Sequence, residues 1–432
     1  MFYGYWDPRF LGLLFFSTSV DYWVAKKLES NSAPGIRRGL LYIGVSSNLL
    51  ILGIFKYYDF FAASATTLIA ALGLHVQPIL LDVVLPVGIS FYSFQSMAYT
   101  IDVYRGKVQA CPDFPLFCLF VSYFPQLVAG PVERAGSLLP QLSKPNELTF
   151  RLVSSGLELV VLGLFKKTVI GDTAGYYLAD PAFKSLDSGV FLWVGTFAFA
   201  IQIYGDFSGY CDIARGVSRM LGVELTENFR APYFASTITD FWRRWHITLS
   251  SWFRDYLYIP LGGNRGTALQ TYRNLSVTMV LCGLWHGAGL HFLLWGAYHG
   301  FLLLLHRSFA PRKIRESGRL EKAFLVPACF LLVCYGWMLF RLGEEQSIMG
   351  ATALMFNAFT ERPDPELLKS WSATLAVLGS TTWFLHWIQA QEKELCELFK
   401  PLVHGLLLGG MMTTILLFGS LSEPLPFIYF QF

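Results

Sequence analysis

The feature that most constrains this chain is a recurring one: apolar runs close to the ~20 residues a helix needs to cross a bilayer, separated by short polar segments containing Lys and Arg. A transmembrane barrel would instead show alternating strands of ~10 residues. The expected fold class is therefore all-α, a polytopic helical membrane protein. A mean hydropathy of +0.45 with 15% charged residues leaves too little polar surface to solvate a globule of 432 residues. The formal net charge of +3 is scattered through short loops, so nothing points to nucleic acid as a partner.

Candidate spans fall at 11–25, interrupted by Asp21, and at 39–55 and 60–74, with Lys56, Tyr57 and Tyr58 between them suiting an interfacial belt. The basic loop 26–38 and the basic segment 307–322 are expected in the cytosol by the positive-inside tendency. Beyond Val83, Pro86 and Gly88 weaken a helix start. Ser90, Ser93, Gln95, Ser96 and Thr100 give that helix polar faces suited to packing on other helices or lining a cavity. Pro125, Gly130 and Pro131 break 114–131 into a re-entrant or kinked element. The run 152–165 stops at Lys166 and Lys167, expected at the cytosolic surface, and 190–203 is a clean membrane helix. From Tyr204 to His246 the chain is too polar for lipid and too apolar for a solvated loop, so it should be embedded and covered by protein. Further spans are expected at 275–305, 323–340, 371–388 and 402–418. The seven cysteines contain no C-x-x-C pair and are expected to be small core residues. The opening MFYGYWDPRF lacks the basic region, apolar core and cleavage site of a signal peptide.

Residues 241–300 hold four of the eight histidines. Ionisable side chains at membrane depth are costly, and they generally face a cavity, pair and carry function. A straight helix over 275–305 would be ~46 Å long, beyond the ~30 Å hydrocarbon core. A break at Gly287, Ala288 and Gly289 would leave His286 at a helix end inside the protein, the way discontinuous helices present ligand-binding groups. On a continuous helix His286, His291 and His299 could not share a face, and their spacing is not that of a zincin, so no metal site is expected.

His246 follows Arg243 by three residues, which predicts one shared helical face, and Asp240 has Arg243 and Arg244 within pairing reach. Two histidines with an arginine cluster suit an acyl transfer, one imidazole as general base and the cations on a phosphate-bearing donor. The alternatives left open are a structural Arg/Asp network and structural histidines. A transporter or channel with a buried histidine and arginine pathway is the rival class, disfavoured by the lack of an inverted repeat or charge ladder. GDFSGY departs from the G-x-S-x-G nucleophile elbow, so Asp206 and Asp212 are expected as polar groups at a helix break. No phosphate-binding G-x-x-x-x-G-K-[ST] loop occurs.

The stretch YGDFSGYCDIARGVSRMLGVELTENFRAPYFASTITDFWRRWHITLSSWFRDYLYIPLGGNR, the later GLWHGAG and YHG, and the closing PFIYFQF resemble the membrane-bound O-acyltransferase (MBOAT) family. The similarity lies with its alginate O-acetyltransferase-like branch, related to the D-alanyl-transfer protein of teichoic acid synthesis. It covers almost the whole chain and is dense from Val83 to His299. Family members carry a further apolar helix ahead of the part that MFYGYWDPRF matches.

The resemblance implies a ring of about nine to eleven transmembrane helices, some re-entrant or broken, around a thin central region. It implies one membrane-embedded domain over 1–432 with a catalytic core at about 83–305, in the inner membrane. His286 of W-H-G carries over as the catalytic residue and His246 of W-H-x-x-L-S as the second histidine. Arg243 and Arg244 are candidates for the donor site, and Asp206, Ser208, Trp245, Trp285 and His299 for its lining. The implied donor substrate is acetyl-CoA or another acyl thioester, with no permanently bound cofactor or metal. The implied acceptor is an exopolysaccharide or an extracytoplasmic acetyltransferase partner.

Overall fold

The computed structural model describes residues 3–5, 7–74, 76–309, 319–343, 346–361, 363–390, 401–419 and 425–427. Among the described residues every regular element is helical. Three helical stretches among these residues, Pro34–Ala71, Gly189–Met220 and Glu321–Arg341, are long and apolar enough to cross a membrane. The chain divides into two units, Met1–Val153 with Val217–Thr226, and Ser154–Gly216 with Glu227–Phe432.

The first unit holds α1 (Arg9–Ser30), α2 (Pro34–Leu52), α3 (Tyr58–Ala71), α4 (Ile89–Tyr104), α5 (Phe114–Val121) and α6 (Ala135–Leu142). Asp21, the charge that interrupts the first apolar run, is fully buried and ties three helices together. Its Oδ1 accepts from Thr100 Oγ1 of α4 at 2.9 Å and its Oδ2 from Asn48 Nδ2 of α2 at 2.8 Å. The hydroxyl-rich α4 is buried at Ser90, Ser93, Gln95, Ser96 and Thr100, as its polar faces predict. It starts after Gly88, whose φ of 77° is left-handed and where a Cβ would lie 2.7 Å from the Leu127 carbonyl oxygen.

One expectation changes here and another holds. The spans at 39–55 and 60–74 are one helical stretch of 38 residues, because no proline intervenes and a π-helical turn at Gly53–Tyr57, with Lys56 inside it, absorbs the irregularity. As its prolines and glycine predict, the apolar run 114–131 is broken: it yields an eight-residue helix of about 12 Å, too short to span, before the chain turns through Pro125 and Gly130.

The second unit holds most of α7 (Phe150–Leu164), then α8 (Asp172–Ala174), α9 (Asp180–Ser185), most of α10 (Gly189–Met220), α11 (Ile238–Arg244), α12 (Ile247–Phe253), α13 (Ala268–His286) and α14 (Leu290–Phe309). After these come α15 (Arg319–Arg341), α16 (Ile348–Asn357), α17 (Pro365–Ala390) and α18 (Pro401–Phe418). The helix does not end at Lys166 and Lys167: a π-helical turn, Phe165–Gly171, carries it on into α8. Nor does a break follow Ile203, since α10 runs unbroken through Asp206 and Asp212. Glu361 caps the start of α10, accepting from Ser188 Oγ at 2.6 Å and from the N–H groups of Gly189 and Val190 at 2.9 and 3.3 Å. The Ser188 hydroxyl and then the Gly189 N–H hold the Glu361 carboxyl below its ordinary range.

A Thr267/Gln270 capping box opens α13: Gln270 N donates to Thr267 Oγ1 at 3.2 Å and Thr267 N to Gln270 Oε1 at 2.9 Å. The helix ends at His286, as the Gly287-Ala288-Gly289 spacing predicts, and Gly287 is extended. Instead of continuing across the membrane, the chain folds back. α14 packs antiparallel on α13, with Gly283 against the Phe292 carbonyl and Gly296 against the Met279 carbonyl. The long span expected at 275–305 is thus a helical hairpin.

The six described cysteines are free, five of them buried and Cys118 half-buried, in keeping with a packing role. Of the basic segment at 307–322, residues 310–318 lie outside the described residues, as do 428–432 of PFIYFQF.

Candidate active site

The site begins with the contact between α10 and the helix before it. Gly205 and Gly209 are four residues apart on α10, and a Cβ on them would lie 2.8 Å from the Lys166 carbonyl oxygen and 2.6 Å from that of Gly163. Small residues at this spacing let two backbones meet. GDFSGY is therefore a helix-packing motif. The close approach brings Lys166 Nζ to 2.6 Å from Asp212 Oδ2, and Lys167 Nζ to 2.7 Å from both Asp172 Oδ1 and Asp206 Oδ1. These charges are buried and mutually compensated, which explains how α10 stays helical through two aspartates.

Asp206 and Ser208 flank Phe207, which is fully buried with its ring 4.6 Å from that of His246. The two polar residues thus neighbour, along α10, the ring that packs on His246. His246 itself departs from its predicted place. α11 starts with Thr237 Oγ1 accepting from Asp240 N and ends at Arg244. Trp245 is extended, and His246 takes a left-handed φ of 44° before α12. The helix break turns His246 into the protein, 1% exposed, while Arg243 is exposed, so the two share no face.

Asn228, which the sequence did not single out, holds His246 from the segment between α10 and α11. Its Oδ1 lies 3.3 Å from His246 Nδ1 and accepts from Thr248 N and Oγ1 at 3.1 and 2.9 Å, while its backbone carbonyl accepts from Ile247 N at 3.0 Å. The only cue in the sequence is an asparagine among the apolar and charged residues of ENFRAP.

From His246 a chain of ring contacts crosses the unit's core. Trp285 lies 5.9 Å from His246 and 5.1 Å from His286, and Trp295 lies 5.0 Å from both His286 and His299. Most of these contacts are edge-to-face, the arrangement ring quadrupoles favour. His286 and His299 are both buried, although no continuous helix could place them together; the hairpin does so. His299 Nε2 faces Gly336 of α15, where a Cβ would come within 2.6 Å. Trp245 joins the same core through Phe241, stacked at 5.6 Å, and Trp337 at 4.8 Å. His291 is half-exposed, its ring against Phe292.

The arginines stand apart from this core. Arg244 Nε pairs with Asp240 Oδ2 at 3.0 Å, as the spacing predicts, on a partly exposed face. Arg243 is free to meet solvent or a ligand from outside.

The arrangement offers an imidazole at a helix end, packed between tryptophans and linked through Trp285 to a second imidazole held by Asn228. Imidazoles buried in this way can accept and return a proton.

Residues 105–342 match the model of MBOAT, the membrane-bound O-acyltransferase family. A probable alginate O-acetylase of Azotobacter vinelandii is 43% identical over 367 residues, 83% of this chain and 71% of its own. A peptidoglycan O-acetyltransferase of Helicobacter pylori is 36% identical over 378 residues, 81% of this chain and 70% of its own. A teichoic acid D-alanyltransferase of Bacillus subtilis is 26% identical over 271 residues, 59% and 68% of the two chains.

Proposed function

The chain belongs to the membrane-bound O-acyltransferase family, and from that premise we propose that it moves an acetyl group from a cytosolic acyl thioester, acetyl-CoA being the simplest, to hydroxyls of an exported polysaccharide or to an extracytoplasmic partner that completes the transfer. Family membership favours transferase over transporter, and the names of the alginate and peptidoglycan relatives support acetyl and a polysaccharide. A bacterial inner membrane is the location this reading requires.

The observation that carries the catalytic part is the ending of α13 at a buried His286. In this reading the His286 imidazole takes the proton of the acceptor hydroxyl as its oxygen attacks the thioester carbonyl. A tetrahedral oxyanion forms; its collapse expels the thiolate, which receives the proton back from the imidazolium and leaves as thiol. His246 serves as a secondary base or orienting group, and exposed Arg243 meets the phosphates of the donor. The catalytic core is proposed to span about 83–305 of a single working domain.

The test is transfer of labelled acetyl from acetyl-CoA to a short alginate oligosaccharide by the purified chain in detergent. Turnover by the parent and its loss in a folded His286→Ala variant is the expected result; near-normal transfer by that variant overturns the assignment.

A further inference from the structure

We infer that Asn228 is a positioning residue that fixes the tautomer of His246 and so makes Nε2 the basic nitrogen of that ring. The inference rests on the acyl-transfer reading above and gives its second histidine a defined state.

The bonding around the amide settles the assignment. Thr248 N–H, which can only donate, reaches Asn228 at 3.1 Å, so the atom facing it is the carbonyl oxygen and not the NH2. Thr248 Oγ1 donates to the same oxygen at 2.9 Å, while Asn228 Nδ2 turns the other way, 3.5 Å from Cys211 Sγ. That oxygen is also 3.3 Å from His246 Nδ1. An amide oxygen only accepts, so Nδ1 carries the hydrogen and the lone pair of the neutral ring lies on Nε2.

The backbone of Asn228 acts in the same direction. Its carbonyl holds Ile247 N at 3.0 Å, which pins the left-handed turn at His246, a conformation that persists in a non-glycine residue only where its surroundings determine it. Phe207 and Trp285 then fix the ring's edges, and Trp285 passes the contact to His286. The charged groups on the elements packed around the ring pair with one another: on α10 Asp206 with Lys167 and Asp212 with Lys166 and Arg215, beside Asn228 Glu227 with Arg230, and on α11 Asp240 with Arg244, while Arg243 is exposed.

The experiment measures acetyl transfer from acetyl-CoA to the alginate oligosaccharide against pH, using the full chain. Asn228→Asp keeps an acceptor for all three donors and adds a negative charge beside Nδ1–H, which favours the imidazolium. Transfer should persist, with the acidic limb of the kcat profile moved up by about one pH unit or more. Asn228→Ala should lower kcat by at least ~10-fold and leave the KM for acetyl-CoA within about 2-fold. A purely structural asparagine would leave the pH limb in place.

Superimposable profiles for parent and Asn228→Asp, or parental kcat in a folded Asn228→Ala, would overturn the inference. If Asn228→Ala fails to fold, the Asn228→Asp profile decides alone. Near-normal transfer by His286→Ala would sink the base assignment and leave the Asn228→Asp comparison standing, so the two failures are distinguishable.

Discussion

Lys166 Nζ donates to Asp212 Oδ2 at 2.6 Å across the contact between the π-helical turn Phe165–Gly171 and α10, with side-chain exposures of only 7% and 13%. Removing one member of a buried pair strands the other, typically at a cost of ~3–5 kcal/mol. Here the two removals are unequal, because Asp212 also faces Arg215 Nη1 at 3.8 Å. Asp212→Asn, which leaves Lys166 buried without its carboxylate, should lower the thermal midpoint in detergent more than Lys166→Met. The double variant Lys166→Met/Asp212→Leu should cost less than the sum of its parts.

Among the histidines of the hairpin, His286→Ala should lower transfer by ~100-fold to 10,000-fold, the usual cost of losing a general base. His291→Ala should keep much more activity, since that ring is half-exposed against Phe292. His299→Ala should lie between them, its loss reflecting packing beside Trp295 and Gly336. Purified variants assayed with labelled acetyl-CoA give the ranking, and equal losses at all three positions would make the histidines structural.

Arg243 and Arg244 should separate in a donor titration. Arg243→Gln removes an exposed cation and should raise the half-saturating acetyl-CoA concentration by about 3-fold to 10-fold, whereas Arg244, engaged with Asp240, should matter less. Unchanged half-saturation in Arg243→Gln would place the donor phosphates elsewhere.

Acid should act on the cap of α10. Glu361 has a folded-state carboxyl held below its ordinary value by Ser188 and the Gly189 N–H, so below neutrality the unfolded chain binds the proton more readily. The resulting stability is present above the ordinary glutamate value of ~4.3 and is lost as pH falls through the lower folded value. Thermal midpoints between pH 3 and 6 (approximate bounds of that window) should fall less steeply for Glu361→Gln than for the parent.

The sequence made the helical, membrane-embedded class legible through run length alone, and the break after His286 through two glycines in a span too long to be straight. The buried hydroxyl-rich α4 was legible for a similar reason, since its polar residues recur on every face. Lys166 and Lys167 were misplaced because a basic pair after an apolar run looks the same whether it meets water or aspartates. The partner aspartate that decides the matter, Asp212, lies 46 residues further on. The Gly205-x-x-x-Gly209 spacing was available as a packing signal. His246 was misread because periodicity carries no sign of a left-handed residue after α11. Asn228 escaped because its importance lies wholly in contacts with Thr248 and His246, 20 and 18 residues away.

The hairpin of α13 and α14 bears on biogenesis as well as chemistry. Only three residues join the two helices, so closing the connection sacrifices little chain entropy, and glycines at 283 and 296 let the pair zip together from the turn. His286 and His299 thus arrive as one prefabricated insert, already bridged by Trp295, which contacts both rings from within the hairpin.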